Sequence, residues 1–273
     1  MLKLLCKALI GCLALPCMTA IAQFDPAKVA PVPAAVSQRY SDPGVRYTSP
    51  SLTPGRKDFA SHEEVLTYSR LLAAQSDNWL RVESIGKSQQ GRDIPLLLLS
   101  SPSSFQANNP TVLFLGQQHG NEPAGGEAAL ALAQRLITTQ RNLLERVNVL
   151  ILPRANPDGA ENFVRATASG LDVNRDHLLL QTPEAQAIAA TALRFSPQVV
   201  MDLHEFTVGG RWLDKFAAYA KYDALLQAAT VGNMNSKIAD LALQEFVAKA
   251  RSDRKSTRLN SSHSTLSRMP SSA

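Results

Sequence analysis

Three short apolar runs constrain this chain more than any other feature. Thr111–Leu115, Val147–Leu152 and Val199–Leu203 are β-rich and apolar, with turn-forming residues at their ends. That is the pattern of strands buried on both faces of a sheet. Helix-like segments separate them. Ala124–Thr138 is rich in Ala and Leu. Thr182-Pro183-Glu184 sets a capping residue before a Pro at the first helical position and opens a helix to about Arg194. Strands alternating with helices predict an α/β fold, a three-layer sandwich around a mixed, largely parallel central sheet.

The segments on either side fit the same plan. Ser61 followed by Glu64 is a capping box, and Val65, Tyr68, Leu71 and Leu72 are expected to share one helical face. Leu80–Ile85 and Ile94–Ser100 read as strands, joined as a hairpin by the polar run Gly86–Arg92. Val199–Leu203 is expected to be a buried strand like the other two. Asn235–Arg251 reads as an amphipathic helix. The folded domain is expected over 61–252. Residues 23–60, rich in Pro, Ala and Ser, form an extended leader lying along the domain or partly disordered.

Both ends read differently. Lys3 and Lys7 precede an apolar stretch, Ala8–Met18, that is too short to span a bilayer, and Ala20-Ile21-Ala22 offers small residues for a signal peptidase. Residues 1–22 are therefore expected to be a signal peptide, cleaved before Gln23. The mature protein would be secreted or periplasmic, with no membrane association after cleavage. Cys6, Cys12 and Cys17 all lie in that segment, which leaves the mature chain no thiolate ligand or nucleophile. At the other end, one coding for Asp253–His263 resembles a widely used short-read sequencing adapter. Residues 253–273 are accordingly expected to be an artefactual tail, with the domain incomplete at its C-terminus. The chain has 28 Lys and Arg against 23 Asp and Glu. Setting aside both end segments leaves 22 of each sign, so the basic balance does not point to nucleic acid. Oligomeric state has no signature in the sequence.

In an open α/β sheet, ligands bind beyond the carboxyl ends of the strands. Three polar segments fall there: Gly116–Pro123, Pro153–Gly159 and Asp202–Glu205. Together they bring His119, Glu122 and His204 toward one place. Two imidazoles and one carboxylate suit a catalytic zinc site with a position open to water. His-x-x-Glu alone is a weak signal in a chain with five His.

The order of motifs adds specificity. Gln-His-Gly-Asn-Glu-Pro-Ala-Gly-Gly-Glu, Asn-Pro-Asp-Gly, Gly-Leu-Asp-Val-Asn-Arg-Asp and Asp-Leu-His follow one another between Gln118 and His204. Over about 61–252 the chain resembles the zinc carboxypeptidases, the carboxypeptidase A-like metallopeptidases. The resemblance implies one Zn2+ held by His119, Glu122 and His204, and Asp172 orienting the first histidine from behind. It implies Asn174 and Arg175 gripping the terminal carboxylate of a peptide substrate, and Arg165 stabilising the developing oxyanion. The implied reaction is hydrolysis of a C-terminal peptide bond by zinc-activated water. Asn156–Gly159 is expected to be a scaffold turn, and Gly120, Gly125 and Gly126 to permit close backbone approach.

The departures are specific. Asn121 stands where some members carry an arginine before the ligating glutamate. Glu205 follows the third ligand and is expected to point across the sheet. The family's general-base glutamate lies about seventy residues beyond the last ligand, past the end of this chain. The chain as it stands is thus expected to be nearly inactive. Two other readings remain open: a zinc amidohydrolase of the desuccinylase or aspartoacylase type, and a non-catalytic zinc-dependent binding protein. The signal and Asn-Pro-Asp-Gly favour the peptidase.

Overall fold

The computed structural model describes residues 34–39, 46–102, 105, 108–206, 215–217, 225–229, 234–250 and 252. The proposed signal segment and the 253–273 tail lie outside them. A short helix, α1 (Ala34–Arg39), precedes the domain. Then come α2 (His62–Ala74), β1 (Leu80–Lys87), β2 (Asp93–Leu99), β3 (Thr111–Gly116), α3 (Ala124–Thr138), β4 (Asn148–Leu152), α4 (Pro157–Glu161), α5 (Pro183–Phe195), β5 (Val199–Leu203) and α6 (Ser236–Asp240).

The five strands form one sheet in the order β1-β2-β4-β3-β5. β1 pairs with β2 and β2 with β4 antiparallel, while β3 pairs in parallel with both β4 and β5. The sheet is therefore mixed, with its parallel character confined to the half that carries the three polar strand ends. Side chains alternate across the pleat. Leu97, Leu99, Val149 and Ile151 pack on one face with Val65, Tyr68 and Leu72 of α2 and Leu130, Ala133 and Leu136 of α3. Leu96, Leu98, Leu113, Leu150 and Leu152 pack on the other face with Ala185 and Ile188 of α5. This is the three-layer sandwich that the alternation predicts.

Two expectations need correction. Leu71 does not share the buried face of Val65, Tyr68 and Leu72 but is 47% exposed. At about 100° per residue it points roughly 120° away from Val65 and 100° from Leu72, past the edge of the face that meets the sheet. β5 spans the predicted residues but is not buried. It pairs only with β3 among the described residues, and Val200 and Met201 face outward, 51% and 37% exposed. An apolar run gives no indication whether its strand has one neighbour or two. The amphipathic helix expected over Asn235–Arg251 begins as read, with the Asn235 side chain accepting the Lys237 N–H at 3.0 Å. It passes into a wider π turn over Leu241–Val247, and Ile238, Leu241 and Phe246 remain exposed. No helix among the described residues is long and apolar enough to cross a membrane.

The capping box of α2 closes as predicted: Glu64 N donates to Ser61 Oγ at 3.2 Å and Ser61 N to Glu64 Oε2 at 2.7 Å. The same carboxylate anchors the segment before it. Arg56 donates to Glu64 from Nη1 and Nη2 at 2.5 and 2.9 Å and to the Phe59 carbonyl at 2.9 Å. Farther along, Ser51 Oγ and the Ala60 N–H both donate to Glu127 of α3, at 2.5 and 3.0 Å. The part of the leader nearest the domain is thus tied to α2 and α3.

The hydrogen bonds from Arg56 outweigh burial and hold the Glu64 pKa at about 2. A depressed carboxyl stabilises the fold above its ordinary value near 4.5 and loses that contribution as pH falls through the folded value. Residues 46–60 are expected to loosen between those two pH values, before the two cores do. Hydrogen exchange at the Leu52 and Arg56 amides, followed from pH 5.5 to about 2, reads this. Protection there that persists as long as protection in β4 overturns it.

Candidate metal centre

The site lies where the path of the chain reverses direction across the sheet. From β3 the chain crosses through α3 to β4 on one side; from β4 it returns through α5 to β5 on the other. The carboxyl ends of β3 and β5 therefore open into a shared crevice. The loop after β3 carries His119 and Glu122, closed by a Glu122 N–H to His119 carbonyl bond of 3.1 Å. β5 ends one residue before His204.

These three side chains converge. One ligand atom from each of His119, Glu122 and His204 lies within 4.8 Å of the others. His119 Nδ1 is 2.8 Å from Glu122 Oε1, and His204 Nδ1 is 2.8 Å from Glu122 Oε2. The outward nitrogens are held from behind. His119 Nε2 lies 3.1 Å from Asp172 Oδ1 and His204 Nε2 lies 2.9 Å from Asp202 Oδ2. A carboxylate only accepts, so each Nε2 carries a hydrogen for the carboxylate behind it, and each Nδ1, which hydrogen-bonds Glu122 here, is the nitrogen that would give up its hydrogen to a metal. The donor set and its support fit a zinc ion.

The charges follow from this packing. Burial pushes Glu122 up, but the hydrogen bonds from His119 and His204 outweigh it and leave its pKa about 2. Asp202, then Glu122, hold the His204 imidazole up to about 9. Burial raises the Glu205 carboxyl to about 7. Glu205 does not face the ligands: its Oε1 accepts the Ala124 N–H at 2.6 Å, at the start of α3, and its own N–H donates to Glu122 Oε2 at 3.1 Å.

The remaining expected residues surround this cluster. Asp172 does two jobs: besides His119, its Oδ1 accepts the Asn174 N–H at 2.9 Å and starts the short turn Val173–Arg175. Arg165 donates from Nε to Asp172 Oδ2 at 2.9 Å, and its Nη1 reaches 3.2 Å from His119 Nδ1 and 3.4 Å from Glu122 Oε1. Asn174 Nδ2 is 3.0 Å from His204 Nε2. Arg175 is exposed and donates from Nη1 to the Asn174 carbonyl at 2.9 Å. Asn156 is buried scaffold: its Oδ1 accepts the Gly159 N–H at 2.9 Å and its Nδ2 reaches the Gln118 and Arg165 carbonyls.

The sequence pattern of the zinc carboxypeptidases matches residues 65–229. The chain belongs to the zinc carboxypeptidase family. It is 36% identical over 220 residues to probable carboxypeptidase 2 of Trichophyton verrucosum (strain HKI 0517), covering 76% of this chain and 42% of that protein. Against carboxypeptidase 2 of Trichophyton rubrum it is 34% identical over 244 residues, 84% of this chain and 45% of that protein. The chain thus spans less than half the length of these relatives. The structure of bovine thrombin-activatable fibrinolysis inhibitor in complex with tick carboxypeptidase inhibitor aligns with a TM-score of 0.54 at 16% identity. It covers 79% of this chain and 80% of that one, a likeness that shows the fold alone.

Several residues of this zinc carboxypeptidase site carried no role in the sequence reading. Asp202 is two residues before His204, which puts both on one side of the strand as β5 ends, and that spacing was a usable signal. Buried Arg154 donates to Gln117 Oε1 at 2.8 Å and to the Ala60 carbonyl at 2.7 Å; Gln117 Nε2 in turn donates to the Gly120 carbonyl at 2.9 Å. Nothing in the local sequence shows that a residue after β4 braces the loop after β3.

The close approach expected at Gly120 is real. A Cβ there would lie 1.9 Å from the Gly159 carbonyl carbon, and at Gly125 2.7 Å from the Leu203 carbonyl oxygen. Gly120→Ala must therefore displace the ligand loop from α4. It is expected to cost about 1–3 kcal/mol in urea unfolding and to weaken zinc retention during dialysis. A variant as stable and as zinc-retentive as the parent overturns the argument.

Proposed function

We propose that this chain carries the metal centre and the carboxylate-recognition residues of an exported zinc metallocarboxypeptidase that releases the C-terminal residue of a peptide. The observation that carries the reading is the arrangement of His119 Nδ1, Glu122 and His204 Nδ1, with both outward nitrogens held by carboxylates. Zinc bound there supplies Lewis acidity, which makes water more acidic and a carbonyl more electrophilic. Arg165, tethered by Asp172 with Nη1 beside the ligand atoms, offsets negative charge that develops on the substrate oxygen. Arg175 offers a planar guanidinium to the substrate carboxylate, with Asn174 beside it.

The proton acceptor is proposed to come from outside the described residues. Each carboxylate around the ligands already has a task. Glu122 and Asp172 face the histidines, Asp202 holds His204, and Glu205 sits at the start of α3. Little or no turnover is therefore expected from these residues alone.

Export rests on the sequence features of residues 1–22, and a secreted or periplasmic location is proposed with it. Expression in a bacterium with an intact signal peptidase is expected to give a mature N-terminus at Gln23. An intact Met1 in all compartments overturns export.

The purified chain is expected to hold one zinc per molecule by elemental analysis, and His119→Ala to hold almost none. Hydrolysis of a blocked dipeptide is expected to stay near background. Zinc content unaffected by His119→Ala overturns the metal assignment. Turnover that His119→Ala abolishes, and that Asp214→Asn, Asp223→Asn and Asp253→Asn leave unchanged, overturns the assignment of the proton acceptor to residues outside the described ones.

A further inference from the structure

A polar chain runs from the third ligand into the core and out again. His204 Nε2 is 2.9 Å from Asp202 Oδ2. The other oxygen of that carboxylate, Oδ1, accepts from Gln118 Nε2 at 2.8 Å. Gln118 Oε1 lies 2.7 Å from His177 Nε2. Gln118 is only 1% exposed, among the largest fully buried side chains of the fold, whereas Asp202 and His177 are exposed.

Donor and acceptor rules orient every member. Asp202 only accepts, so Gln118 must turn its NH2 toward it and its carbonyl oxygen toward His177. His177 must then present N–H at Nε2. Asp202 likewise requires N–H at His204 Nε2, so the nitrogen that would release its hydrogen to a metal is Nδ1, which hydrogen-bonds Glu122 here. One neighbour tests this assignment. Asn174 Nδ2 lies 3.0 Å from the same His204 Nε2, and two N–H groups do not bond. A half-turn of the Asn174 amide, which exchanges N and O at nearly the same positions, resolves the conflict.

We propose that Gln118 and His177 are positioning residues for the zinc ligand His204, acting through Asp202. A carboxylate on an exposed strand end has several rotamers open to it, and an imidazole resting on it inherits that freedom. A buried amide fixed at both ends restricts the carboxylate to one. Gln118 is also next to His119, so the position that precedes the first ligand braces the third, across the β3–β5 pairing.

The inference rests on zinc binding at His119, Glu122 and His204, and the experiment separates the two. Zinc affinity is measured on the full chain by chelator competition, Co2+ replaces Zn2+ for its visible absorption, and metal-free unfolding gives the fold control. Gln118→Leu is expected to weaken zinc about ten- to a hundredfold and to shift the Co2+ bands. His177→Phe, a change at an exposed residue, is expected to weaken zinc about three- to tenfold with an unchanged metal-free unfolding midpoint. His177→Gln, which keeps an N–H donor, is expected to return affinity to within about twofold of the parent. If the parent binds no zinc, the metal assignment itself fails. If the parent binds zinc and His177→Phe matches it in affinity and in Co2+ spectrum, this inference alone is overturned. Loss of zinc in His177→Phe that His177→Gln does not restore also overturns it.

Discussion

Glu122 is the charge around which this half of the fold is organised. Its side chain is about nine-tenths buried, and its two oxygens face the two histidines separately, Oε1 to His119 and Oε2 to His204. A buried carboxylate without partners would cost several kcal/mol. The sheet supplies those partners from separate strand ends, and the Glu205 N–H adds a third contact. The parallel pairing of β3 with β5 is what brings them within reach. That pairing in turn requires the chain to cross one face of the sheet through α3 and the other through α5.

The ligand loop is braced at several heights. Below it, the backbone of Gly159 and Ala160 presses against Gly120 so closely that no side chain fits. Beside it, Arg154 reaches through Gln117 to the Gly120 carbonyl, and the same guanidinium holds the Ala60 carbonyl at the entrance to α2. The hairpin contributes from the far side. Gln89 exchanges two hydrogen bonds with Ser169, at 2.7 and 2.8 Å, and so pins the loop between Arg165 and Asp172. Elements distant in sequence thus converge on a few backbone positions near the ligands.

How much of this was legible depended on the range of the interaction. The α2 capping box, the Thr182 cap and the limits of α3 and β5 follow from residues within four positions of one another, and the structure agrees with them. His119, Glu122, His204, Asp172 and Arg165 could be named because the order of motifs resembles that of the family, and the structure brings their side chains together. Exposure of β5 was not legible, because Val199–Leu203 has the same composition whether one neighbour or two flank it. The Gln118–Asp202 contact was not legible either. It joins residues 84 apart and depends on the register between two strands, which no local pattern encodes.

The position of His204 has one more consequence. Among the described residues β5 pairs with β3 alone, so few of the backbone bonds described there restrain it. A metal held jointly by the loop after β3 and the residue after β5 acts as a cross-link between them. Its binding energy is then also docking energy for a strand at the edge of the described sheet. Chelation should release a structural element as well as a reagent, and the ion's occupancy and the order of that edge become a single equilibrium.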